Sequence, residues 1–174
     1  MVRQIISILL LLICFSANAQ QYLAKDGTIT FFSKAPVEDI SAINNKVSAI
    51  YDAKTKALVF QLNITDFIFP KSLMQTHFNE NYLESDINPN STFVGKVTES
   101  KNGISNVEGK LTIHGETNFI NVVGNLLVHE NTVYISAVKF IVKLEDYKIK
   151  IPRIVMYNIA KEIEIKVNIK LQKQ

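Results

Sequence analysis

The 174-residue chain contains no tryptophan and a single cysteine, Cys14, which falls within the first nineteen residues. Everything beyond it is therefore without disulfides, thiol nucleophiles and thiolate metal ligands. Histidine is nearly as scarce: His77, His114 and His129 are the only three, and none has a second histidine or a carboxylate at a metal-binding spacing. Charge of one sign is nowhere concentrated. Nineteen Lys and Arg stand against 16 Asp and Glu with no run of five like charges, which argues against a nucleic-acid stripe. Gly-x-Ser-x-Gly, a phosphate-binding glycine loop and His-Glu-x-x-His are also missing, so catalysis, cofactors and metals have no visible apparatus. Glu80, Glu84 and Asp86 form a local acidic group. Carboxylates do acid–base work only in a pocket that drives their pKa values apart, and this group reads as a solvated face.

What is present begins with the three parts of a secretory signal: Arg3, an apolar run from Ile5 to Phe15, and the small-residue site Ala17-Asn18-Ala19. The run is shorter than the roughly 20 apolar residues of a membrane span. Residues 1–19 are thus expected to be removed, leaving residues 20–174 as one periplasmic or secreted domain. A lipoprotein reading of Leu11-Leu12-Ile13-Cys14 fits less well, because Ile13 stands where a small residue belongs. No later stretch is long and apolar enough to span a bilayer as a helix.

Strand patterning dominates the rest. Ile163, Ile165, Val167, Ile169 and Leu171 alternate with Glu164, Lys166, Asn168 and Lys170, the period of two that gives a strand one greasy and one wet face. Leu58, Phe60, Leu62 and Ile64 alternate in the same way, as do Val133, Ile135 and Ala137. Turn chemistry separates the runs at Lys25-Asp26-Gly27, Tyr51-Asp52-Ala53-Lys54, Lys101-Asn102-Gly103, His114-Gly115 and His129-Glu130-Asn131. Asn and Gly accept the positive φ of tight hairpins, so neighbours joined this way are antiparallel. Eight strands are expected, near residues 27–33, 45–52, 57–66, 92–99, 104–113, 117–128, 132–144 and 160–171. One segment breaks the period. Leu73, Met74, Phe78 and Tyr82 recur at three and four, and Ser72 with Gln75 has capping-box spacing, which predicts a short helix over 72–83. Among hairpins such a helix covers a barrel mouth or a seam.

The run Glu108-Gly109-Lys110-Leu111-Thr112-Ile113-His114-Gly115-Glu116-Thr117 resembles the G-x-L-T-(I/L)-x-G-x-T strand-turn-strand of the YceI-like polyisoprenoid-binding family. Gln75-Thr76-His77-Phe78-Asn79-Glu80-Asn81-Tyr82-Leu83, with Pro89 and Phe93 after it, is similar to that family's short helix and following strand. The order extends over most of residues 20–174. The chain departs from the pattern at its opening, where Lys25-Asp26-Gly27 replaces D-x-x-H-S, and near its close, which reads Pro152-Arg153-Ile154-Val155. The resemblance implies an all-β, antiparallel, eight-stranded closed barrel of lipocalin-like form, exported in bacteria, with an isoprenoid or other lipid tail in its lumen and no enzymatic residues.

Physical reading and resemblance then meet in the aromatics. Phe31, Phe32, Phe60, Phe67, Phe69, Phe78, Phe93, Phe119 and Phe140 suit either ordinary core or the wall of a tube. The residues expected to line a cavity are Phe60, Leu62, Ile64, Phe67, Phe69, Met74, Phe78, Tyr82 and Phe93, with His77 at the mouth. The expected partner is an apolar small molecule, whether isoprenoid, quinone-like or fatty-acyl, held for sequestration or transport; pairing of two barrels into a homodimer stays open. A solidly packed barrel serving as a structural or protein-interaction module is the alternative. An outer-membrane barrel is a third reading, disfavoured by the missing tryptophan girdle.

Overall fold

The computed structural model describes residues 20–34, 39–150 and 160–174. The expected signal at 1–19 and the segment Pro152–Val155 lie outside these residues. Eight strands follow one another around a closed antiparallel barrel: β1 Gln21–Ser33, β2 Ile40–Asp52, β3 Ala57–Asn63, β4 Asn90–Lys101, β5 Ile104–Ile113, β6 Glu116–His129, β7 Thr132–Lys143 and β8 Glu162–Lys173. Closure comes from β1 against β8, in a ladder that includes Phe31↔Ile165 and Tyr22↔Lys173.

Side-chain alternation sets which face turns inward. Ile163, Ile165, Val167, Ile169 and Leu171 point into the barrel, while Glu164, Lys166 and Lys170 point out. The outer wall carries ion pairs such as Lys96–Glu108 and Lys139–Glu164. That sidedness, apolar within and charged without, is the reverse of a transmembrane barrel. Among the described residues no helix is long and apolar enough to cross a membrane.

Strand ends depart from the sequence expectation where one chemistry serves two purposes. Lys25-Asp26-Gly27 does not turn the chain. It forms a bulge inside β1, where Ala24 pairs with Ala49 and Gly27 with Val47. A side chain at Gly27 would meet Ile169 at 2.8 Å, so glycine here admits a core residue. Ala137 does not continue the inward row of β7 either. It takes φ +54° in a second bulge, exposed, and Val138 occupies the inward place. An alanine in the left-handed region costs about 1–2 kcal/mol. By contrast Asn102-Gly103 and His114-Gly115 are tight turns with both residues at positive φ, as expected.

Seen along the barrel axis, the two ends differ. Hairpin turns close one end, and there Tyr22, Val47, Tyr51, Leu58, Val133 and Leu171 fill the interior to at most 5% exposure. The Tyr22 and Tyr51 rings stand 6.3 Å apart across this floor. At the opposite end the β3–β4 connection crosses the mouth. It runs through a 3-10 turn Ile64–Asp66, the helix α1 Ser72–His77 and a π turn Phe78–Tyr82. The capping box expected of Ser72 and Gln75 does not form: Ser72 is the first helical residue, and Gln75 Oε1 accepts from the Phe69 N–H at 3.4 Å.

Two ladders are short. Strands β2 and β3 share only Ser48↔Gln61 to Tyr51↔Leu58, beyond which Ile43 of β2 bridges to Ile68 in the connection that crosses the mouth. Strands β6 and β7 pair only from Asn125↔Ser136 to His129↔Thr132, beside their turn. Above that rung, residues 116–124 of β6 and 137–143 of β7 form no ladder with each other. The bulge at Ala137 supplies the reason, since the extra residue bends and twists β7 away from its neighbour.

Candidate functional site

Above the floor the barrel is not filled. A cavity of about 200 Å³ lies between the floor and the mouth-crossing segment, walled by inward side chains from all eight strands. For scale, an engineered apolar cavity of about 150 Å³ takes up benzene. Phe60, Leu62, Ile64, Phe67, Phe69, Met74, Phe78, Tyr82 and Phe93 all border this space. Ile64 reaches it from the 3-10 turn, where the sequence expectation had a strand. Of the other phenylalanines, Phe31 and Phe140 join the wall. Phe119 does not: it is on the outer face of β6 at 67% exposure. His77 is outside the wall as well. Much of the wall was not singled out from the sequence, including Ile29, Val107, Leu111, Ile120 and Val122, whose inward facing follows from register alone.

Phenylalanines gather where the covering segment meets the barrel. Phe78 stacks on Phe31 with centroids 5.5 Å apart and 20° between planes, and lies 4.9 Å from Phe69 and 5.5 Å from Phe67. Each such pair adds about 0.5–1.5 kcal/mol to the area buried. The cover is tied at its far end too. His114, in the β5–β6 turn, approaches Glu84 Oε2 with Nε2 at 2.8 Å and the Tyr147 carbonyl with Nδ1 at 3.1 Å. His114 is thus a tie between two connections, not the solitary turn residue its sequence suggested. Glu80, Glu84 and Asp86 are exposed, in keeping with a solvated face.

Among the described residues the wall offers a guest no charge. Its polar members are Ser33, Gln61, Tyr82, Ser91, Thr92, Ser105 and Asn125, and several bond to the wall itself. Ser91 Oγ donates to the Thr112 carbonyl at 2.8 Å, Ser105 Oγ to Ser100 Oγ at 3.0 Å, and Ser33 Oγ accepts from the Ala160 N–H at 3.3 Å. Burial pushes the Tyr82 phenol above its ordinary value, which keeps it neutral. Phe93 lies over a cross-strand glycine pair, Gly95↔Gly109. A Cβ on Gly109 would come within 2.8 Å of that ring and 2.5 Å of the Gly95 backbone, so glycine there makes room for an aromatic wall. Among the described residues no group of three or more His, Cys, Asp or Glu could hold a metal ion. What such a space can do chemically is exclude water from an uncharged molecule.

Solved structures of similar shape exist. BcnA of Burkholderia cenocepacia superposes with a TM-score of 0.73 at 16% identity, over 83% of this chain and 95% of that one. A polyisoprenoid binding domain from Saccharophagus degradans, implicated in plant cell wall breakdown, gives 0.76 at 10% identity, over 90% and 100%. The Campylobacter jejuni YCEI protein gives 0.66 at 15% identity, over 81% and 88%. At such identities the likeness concerns the fold. No curated protein matches. The model of the YceI-like domain matches residues 20–171, and with the barrel and the motif on β5 and β6 this places the chain in the YceI-like family.

Proposed function

We propose that the barrel holds the uncharged hydrocarbon part of an isoprenoid or other long-chain amphiphile, and sequesters or carries it outside the cytoplasm. One observation carries this reading: a lumen of about 200 Å³ bounded mostly by apolar side chains and, among the described residues, by no charged one. The Saccharophagus degradans neighbour, described as a polyisoprenoid binding domain, supports it. The nine residues expected from the sequence are the proposed contacts, with Phe31, Val107 and Phe140 added. A carboxylate or phosphate inside such a wall would lack a counter-charge, so the tail goes in and any charged head group stays out.

Scaling from benzene in about 150 Å³, the cavity as it stands takes on the order of eight carbons. At about 0.8 kcal/mol per buried methylene that gains about 6 kcal/mol, near the lower end of the roughly 4–15 kcal/mol cost of association. Tight binding therefore needs a tail that extends past the cavity or widens it. Native mass spectrometry of protein gently extracted from its host is the test. A carried hydrocarbon or prenyl mass supports the reading; an empty protein that also refuses added polyprenol and quinone overturns it. The solid floor is what the structural-module alternative expects, but only for the lower half of the barrel.

A further inference from the structure

The upper halves of β6 and β7 form a slit, and we propose that the hydrocarbon tail passes through it sideways, without lifting the cover from the mouth. This rests on the tail-binding reading above. Among the described residues, both ends of the barrel are held shut. The floor is packed by Tyr22, Tyr51, Val133 and Leu171. At the mouth, four phenylalanine rings and the His114–Glu84 contact hold the cover in place, together with the Ile64 N–H to Pro89 carbonyl hydrogen bond at 2.8 Å.

The side wall is different. Above Asn125↔Ser136 no ladder joins the two strands, so widening the gap there breaks no sheet hydrogen bond between them. The gap is bounded below by Val138, whose side chain fits against Gly124, and above by Asn118 Nδ2 donating to the Asp146 carbonyl at 2.6 Å. Ile120 and Val122 on one bank, with Val138 and Phe140 on the other, face the cavity. On the outside the same banks show Phe119 at 67%, Val123 at 57% and Ile141 at 53% exposure. A tail crossing here leaves apolar wall for apolar rim and, among the described residues, meets no buried charge. The slit also gives the surplus length of a long tail somewhere to lie, against side chains that are otherwise unexplained on a surface patterned with ion pairs.

A disulfide at the lower edge of the slit, which pins the two banks so that they cannot spread upward from the last rung, tests the route. An ideal Cβ on residue 124 lies 3.3 Å from Val138 Cβ, close to the roughly 3.5–4.5 Å of a disulfide. Gly124→Cys with Val138→Cys, in a chain where Cys14 is replaced by serine, is mixed with the uncharged dye N-phenyl-1-naphthylamine and uptake is followed by stopped-flow fluorescence. We expect uptake to slow at least tenfold when oxidised and to recover with reductant. Asn118→Ala, which frees the upper end, is expected to speed uptake several-fold and stands as the second variant if the double cysteine chain folds poorly. Equal rates in oxidised and reduced protein, or no acceleration by Asn118→Ala, overturn the slit while the cavity reading stands. Dye that enters neither state overturns both. A control disulfide at the mouth, Ile43→Cys with Ile68→Cys on the hydrogen-bonded bridge there, should leave the rate unchanged; slowing by this one instead also overturns the slit.

Discussion

Val107→Phe separates a lumen with room from one without. Val107 sits midway along β5, between Val97 on β4 and Val122 on β6, and its side chain borders the cavity. The change adds about four carbons to the wall, and a guest loses about that many contacts. At about 0.8 kcal/mol each this is about 3 kcal/mol, or about a hundredfold in Kd at 1.4 kcal/mol per decade. Stability should move the other way. If the new ring drops into empty space it buries apolar surface that was formerly exposed to the cavity, and the protein gains about 1–2 kcal/mol after strain. In a filled core the same substitution overpacks and costs about 1–3 kcal/mol. Urea unfolding of the guest-free protein gives the sign, and fluorescence titration with N-phenyl-1-naphthylamine gives the affinity. A destabilised variant that binds the dye as well as the parent refutes the reasoning on both counts.

Three further outcomes follow from the geometry. Phe78→Ala removes the ring that meets Phe31, Phe67 and Phe69; because the residue is half-buried, the cost should be about 2–3 kcal/mol, below the full core range, and a shift in urea midpoint worth less than 1 kcal/mol would mean the rings do not hold the cover. Gly109→Ala drives a methyl against the Val94 carbonyl and the Gly95 backbone, both 2.5 Å away, and should cost about 3 kcal/mol in the same assay. Acid should loosen the fold. Hydrogen bonding holds three carboxyls below their ordinary range: Asp52 through the Thr55 N–H, Asp66 through Lys46, and Glu164 through Lys139. Since the folded values are the lower ones, their contribution is present above about pH 4 and is lost as pH falls through the depressed values. Urea midpoints should therefore be flat from pH 7 to 5 and decline below 4, with the decline smaller in Asp66→Asn.

Strands whose two faces meet different solvents were legible in the sequence. Residues 163–171 and 58–64 alternate because one face lines the barrel and the other meets water, and six of the nine expected wall residues follow from the alternation over 58–64 and the helical spacing over 72–83, while Phe67, Phe69 and Phe93 stood out only as aromatics. Harder to read were positions where local chemistry is ambiguous. Gly27 satisfies a bulge as well as it would a hairpin, and nothing in Ala137 announces a left-handed residue, since alanine has no side-chain hydrogen bond to favour that conformation. Phe119 keeps the strand period but points outward, because its register places it with Lys110 and not with Gly109. The contact of His114 with Glu84 spans thirty residues, so no local pattern could show it. The end of the β6–β7 ladder leaves no trace in composition, because it is a missing pairing between two otherwise ordinary strands.

The floor formed by Tyr22, Val47, Tyr51, Val133 and Leu171 has a consequence for how the chain can change over time. Those residues bury themselves against one another without a guest, so on the tail-binding reading proposed above the lumen fills and empties without unfolding. Substitutions at wall positions such as Val107, which border open space, can then change the shape of the lumen without disturbing that floor.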